Sequence, residues 1–120
     1  MRSLEEILDR LLAQADGGLA AALGGMDGLL VEQRPAGDGD LSIAVAELTG
    51  ALADLRRAVT DALQGGPVTA VEVRSERVRT LVRHVSSDHY LMLTLHPAAD
   101  VGLAERALNE ATDAVRALLA

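Results

Sequence analysis

The chain opens on an amphipathic pattern, with Leu4, Ile7, Leu8, Leu11 and Leu12 falling on one face of a helical period. Ser3 stands three residues before Glu6, the spacing of a capping box, and Gly17-Gly18 supplies a left-handed stop. A helix is expected from about Leu4 to Ala15. The next apolar run, Leu19-Ala20-Ala21-Ala22-Leu23, is short and bounded by glycines, which predicts a strand covered on both faces by closely packed helices. Asp27-Gly28 separates it from Leu29-Leu30-Val31-Glu32-Gln33-Arg34, the signal of a tight hairpin turn. Pro35-Ala36-Gly37-Asp38-Gly39 reads as a loop, with Asp40 placed to cap the next element.

From about Leu41 to Gln64 a long helix is expected, stopped by Gly65-Gly66-Pro67. Its Leu41, Val45, Leu48, Leu52, Leu55, Val59 and Ala62 alternate in steps of four and three, a heptad-like seam. At 1.5 Å per residue this stripe is roughly 30 Å long, enough to extend past one sheet face and to pair with a second copy of itself. Ala46, Gly50 and Ala53 form a small-residue face suited to close approach to a sheet. Three strand-like runs come next: Val68 to Arg74, Arg77 to Val85 and Tyr90 to His96, with Ser86-Ser87-Asp88 as the turn between the last two. They read as an antiparallel meander. Asp100 then caps a final helix through Leu119, whose Ala104, Leu108, Ala111, Val115 and Leu118 keep the helical spacing. The order helix, two strands, helix, three strands, helix predicts a single α+β domain over residues 1–120, with a five-stranded antiparallel sheet and helices on both faces.

Composition removes several classes of function. There is no Cys, which excludes disulfides, thiolate nucleophiles and sulfur-held metals. The 18 acidic residues against 11 basic ones give a formal charge of -7, which disfavours nucleic acid as the partner. Tyr90 is the only aromatic residue, so stacking platforms for bases, sugars or flavins are missing. No run reaches the roughly 18 apolar residues of a membrane span, and the acidic start MRSLEEILDR lacks the features of a signal peptide. A cytoplasmic protein without membrane insertion is expected. Every basic residue is Arg and none is Lys, so a Walker lysine is absent; Gly24-Gly25-Met26-Asp27-Gly28 precedes a strand instead of a helix and reads as hairpin geometry.

His84, His89 and His96 are the candidate metal ligands, with Asp88 beside them. His89 and His96 lie seven residues apart on one expected strand, about 20 Å or more by strand rise, so no ion is shared between them. His84 and His89 flank one turn and are the pair able to approach; with Asp88 they would serve a metal-dependent hydrolase, the reading from the enzyme class. No Ser stands at a strand-to-helix elbow for a triad. Arg74, Arg77, Arg79 and Arg83 gather positive charge, but strand alternation is expected to send some of them to opposite faces. Opposite the apolar seam, Glu47, Asp54, Arg57 and Asp61 recur at helical spacing as exposed candidates for partner contact. The seam residues Leu48, Leu52, Leu55 and Val59, with Val71 and Val73 on an open strand edge, are the candidate dimer interface.

The stretch LAAALGGMDGLL from Leu19 to Leu30, the long Ala/Leu middle helix and the tail VGLAERALNEATDAVRALL resemble the Roadblock (dynein light chain) family over nearly the whole chain. The small-apolar strand leading to Asp27-Gly28-Leu29, and the Gly102-centred start of the last helix after HYLMLTLHP, carry most of the likeness. The resemblance implies a homodimer in which third strands, here about Val68 to Arg74, join two sheets and the middle helices pair on one face. It also implies a binding role without cofactor, metal or catalytic residue, since the family supplies none to carry over. Bacterial members act beside a Ras-like small GTPase, as in mutual gliding-motility systems, by regulating or scaffolding it. An assembly scaffold with no GTPase is the alternative.

Overall fold

The Ser3 hydroxyl accepts the Glu6 amide at 3.2 Å, and helix α1 (Leu4–Gln14) begins there as the capping pattern requires. The computed structural model describes residues 2–37 and 39–120; Asp38, inside the expected Pro35–Gly39 loop, lies outside them. Strands β1 (Gly18–Gly25) and β2 (Leu30–Arg34) form the expected hairpin. Its turn depends on Gly28 in the left-handed region, φ +87°, while the Asp27 carboxylate accepts the Leu29 amide at 3.0 Å. Helix α2 (Ser42–Leu55) continues as a π-helical segment, Arg56–Ala62. Strands β3 (Ala70–Arg74), β4 (Arg79–His84) and β5 (His89–Leu95) are the meander, and α3 (Val101–Leu119) closes the chain behind its Asp100 cap.

The sheet runs β2-β1-β5-β4-β3, all neighbours antiparallel, so β2 and β3 are its edges. Its two faces are covered unequally. On one, Ile7, Leu8 and Leu11 of α1 and Ala104, Leu108, Ala111 and Val115 of α3 pack against Ala21, Leu23, Leu81, Leu91, Leu93 and Leu95. The alanines of β1 and α3 permit that close approach, in keeping with the small-residue strand. On the other face, α2 alone covers Ala22, Val82, Tyr90 and Met92, using Val45 and Leu52.

Several details differ from the sequence-based expectation. The middle helix widens after Leu55: the Leu63 amide reaches the Ala58 carbonyl, five residues back, at 3.1 Å. A π turn rotates the later side chains, so the four-three stripe continues to Val59, which lines a groove with Leu55, but does not reach the exposed Ala62. Ala46 and Gly50 face solvent, and a Cβ built on Gly50 would meet nothing within 4 Å. The larger Val45, Thr49 and Leu52 take the sheet side instead, because burying them removes more apolar area from water. Asp40 bonds Ser42 N and Oγ, while Leu41 occupies the N-cap position. The third strand starts at Ala70 and the fourth at Arg79.

Candidate functional site

Of the surfaces the fold leaves uncovered, two are neighbours: the outer side of α2 and the β3 edge. Helix α2 is apolar nearly all round, so turning Val45 and Leu52 inward leaves other apolar residues outward. Ile43 is 77% exposed, Leu55 36% and Val73, on β3, 47%. Between helix and edge runs an open groove lined by Leu55, Val59, Pro67, Val68 and Val71.

The residues singled out in the sequence divide between this surface and the interior. Leu48 and Val59 are partly buried, Leu55 is exposed, and Val71 and Val73 share the α2 side of the edge strand, by the register Val71↔Val82 and Val73↔Thr80. Leu52, at 7% exposure, is seated in the chain's own core. Glu47, Asp54, Arg57 and Asp61 are all exposed, and Arg57 is ion-paired to Asp54 within the same turn.

The arginine cluster is more focused than strand alternation suggested. Arg79 and Arg83 share the face of Leu81, and Arg74 pairs across from Arg79, which puts three of the four on the α1/α3 side. The reason is spacing: the three face the same way by even steps on β4 and by cross-strand register on β3. Glu72 is among them, hydrogen-bonded to Arg74 and 3.8 Å from Arg79. That bond first, then the charges of Arg74, Arg79 and Arg83, holds its carboxyl below the usual range. Arg83 is engaged with Asn109 Oδ1 of α3 at 3.1 Å.

His84 and His89 do come together, on one cleft beneath the π-helical segment, whereas His96 is at the far end of β5. Among the described residues no group of three His, Asp or Glu side chains is placed to hold a metal ion. The feature that sequence reasoning missed in this cleft is Arg56, whose guanidinium donates to the Ser87 carbonyl at 3.2 Å. The heptad pattern placed it near the seam and offered no hint of the turn it meets, thirty-one residues away. Burial first, then the charges of Arg56 and Arg116, pushes the His84 imidazole below its ordinary value. No helix among the described residues is long and apolar enough to cross a membrane.

No known family profile matches the sequence, and no curated protein matches it. Solved structures do. MglC from Myxococcus xanthus is 32% identical, with 97% of this chain and 98% of that one covered and a TM-score of 0.66. Myxococcus xanthus MglB superposes with a TM-score of 0.87 at 14% identity, covering 97% of this chain and 94% of that one. A Roadblock/LC7 domain from Streptomyces avermitilis gives 0.83 at 21% identity, covering 94% of each. The chain belongs to the Roadblock family and is similar to its gliding-motility regulators.

Proposed function

We propose that this Roadblock-family chain is a non-catalytic, cytoplasmic homodimeric binding module that regulates or scaffolds a Ras-like small GTPase. The observation that carries the reading is the unequal covering of the sheet: two helices seal one face, while the other leaves α2 apolar on its outer side next to an unpaired, β-branched edge. A second copy would satisfy both needs at once. Pairing β3 with its counterpart satisfies open backbone donors and acceptors, and α2 beside α2 covers Leu48 and Leu55. Each large apolar side chain so buried contributes roughly 1.5–3 kcal/mol at most, against the ordering cost of association. The kinship with MglC and MglB supports the regulatory reading, and the outward Glu47, Asp54, Arg57 and Asp61 are the charges left to meet the GTPase.

Sedimentation equilibrium at micromolar concentration tests the dimer. Wild type is expected at twice the chain mass and the double variant Leu55→Glu, Val73→Glu at one; a wild-type chain found at 12.5 kDa overturns it. Capture from lysate in GDP and in a non-hydrolysable GTP analogue tests the partner. Asp54→Arg with Asp61→Arg is expected to lose the GTPase while keeping the dimer. Enrichment of proteins without any small GTPase would favour the assembly scaffold.

A further inference from the structure

The cleft holding Arg56, His84 and His89 is separate from the outer face of α2 and carries its own chemistry. Its enclosed depth admits a group the size of one water, and beyond that it opens to solvent. The walls are Leu52, Val68, Val71 and Val82, with Met26 at the hairpin end. Its polar side is all donors and neutral groups: among the described residues no Asp or Glu lines it.

That is unusual in this molecule, where acids outnumber bases by seven. Four arginines are partly buried, Arg34, Arg56, Arg79 and Arg83. Arg34 is 3.1 Å from Asp9, Arg79 is 3.8 Å from Glu72, and Arg83 bonds the Asn109 side chain. Arg56 has one carbonyl, from Ser87, and no carboxylate within ion-pair distance among the described residues. A guanidinium has five donors in a planar fork that matches a carboxylate. A partly buried cation with most donors unspent, the His84 imidazole beside it and aliphatic walls define a ligand by complementarity.

We propose that this cleft binds a carboxylate on a short apolar stem, its head on the Arg56 guanidinium with His84 as a flanking donor, and its stem along Val68, Val71 and Val82. The direction of the His84 shift agrees, since burial and the charges of Arg56 and Arg116 act on an imidazole that lacks a counter-ion. The groups bearing on His84 are Arg56 from the middle helix, His89 and Tyr90 from β5, and Arg116 with Asp113 from α3. A bound carboxylate adds the missing negative charge and raises the His84 pKa, so binding tightens as pH falls through the histidine range. The carboxylate has two sources, a free short-chain acid or a glutamate side chain of a docked polypeptide.

The test is an NMR titration of the full chain, read at the His84 and His89 ring protons, with isobutyrate in one arm and doubly capped glutamate in the other. His96, at the opposite end of β5, is the internal reference. Saturable shifts at His84 with a Kd on the order of 1 mM are expected, together with an upward move of its pKa. Arg56→Gln is expected to weaken binding by roughly tenfold, and Arg56→Lys by less, because the lysine keeps the charge but not the fork. Tighter binding of capped glutamate names a polypeptide source, and tighter binding of isobutyrate a free acid. Equal shifts at His96, no saturation in either arm, or affinity unchanged in a folded Arg56→Gln chain overturns the proposal. His84→Gln provides a second variant should Arg56→Gln fail to fold, and affinity unchanged in it likewise overturns the proposal.

Discussion

Tyr90 fastens three elements with one hydroxyl. It is 2% exposed, donates to the Val45 carbonyl of α2 at 2.9 Å, and stands 2.9 Å from Thr49 Oγ1, which in turn is 3.1 Å from the Gly25 carbonyl of β1. Gly24 makes room for the ring, since a Cβ there would approach Tyr90 Cζ to 2.7 Å. Tyr90→Phe keeps the ring and leaves the Val45 carbonyl and Thr49 hydroxyl short of a partner, so a loss of about 1–3 kcal/mol is expected in urea unfolding. A loss well below that range would show that water replaces the hydroxyl. His84 sets a different, pH-linked dependence. Its folded pKa is depressed below the unfolded value, so the unfolded chain binds more protons as pH falls, and the stability present above pH 6.5 declines through the histidine range. The urea midpoint of wild type should drop between about pH 7.5 and 5.5, and His84→Gln should flatten that slope. The depressed carboxyl of Glu72 acts with the same sign only at lower pH, below its ordinary value.

At the scale of elements, α2 shows how a repeating pattern divides between core and surface. Leu52 and Leu55 occupy equivalent places in the linear stripe, yet one is 7% exposed and the other 36%. Leu52→Ala should therefore cost about 2–5 kcal/mol by opening a cavity against Val82 and Met92, while Leu55→Ala should stay near 1 kcal/mol or below in a dilute monomer. Comparable losses at the two positions would mean the helix is rotated from the orientation described. The existence and order of all three helices and five strands were legible, because capping at Ser3 and Asp100, the glycine boundaries of β1 and the Asp27-Gly28 turn are local signals. What was not legible depends on contacts between distant segments. The widening at Arg56–Ala62 leaves no mark in a heptad count, and the meeting of Arg56 with the Ser86–Asp88 turn comes from how α2 lies across the sheet. The apolar edge of the candidate interface was readable as a run of valines, but which leucine faces inward was not.

For the molecule as a whole, the net acidic charge of α1 and α3 keeps the sealed face wet, while the arginines at β3, β4 and the turn between them set a local counter-field near the open edge. The candidate dimer face and the carboxylate cleft both adjoin the start of β3, since Val68 and Val71 line the open groove and the cleft alike. Occupancy of one is thereby placed to influence the other. The strand order has a consequence for how the chain is made. Its central strand β5 pairs with β1, Ala21 with Leu93 and Leu23 with Leu91, partners about seventy residues apart in sequence. Until His89–Leu95 has left the ribosome, Gly18–Gly25 has only β2 beside it, and the apolar faces of α1 and of the hairpin wait without their main contact. Closing so long a loop comes before most of the burial that rewards it, which places the chain among slow, topology-limited folders and makes the hairpin the segment most in need of protection during synthesis.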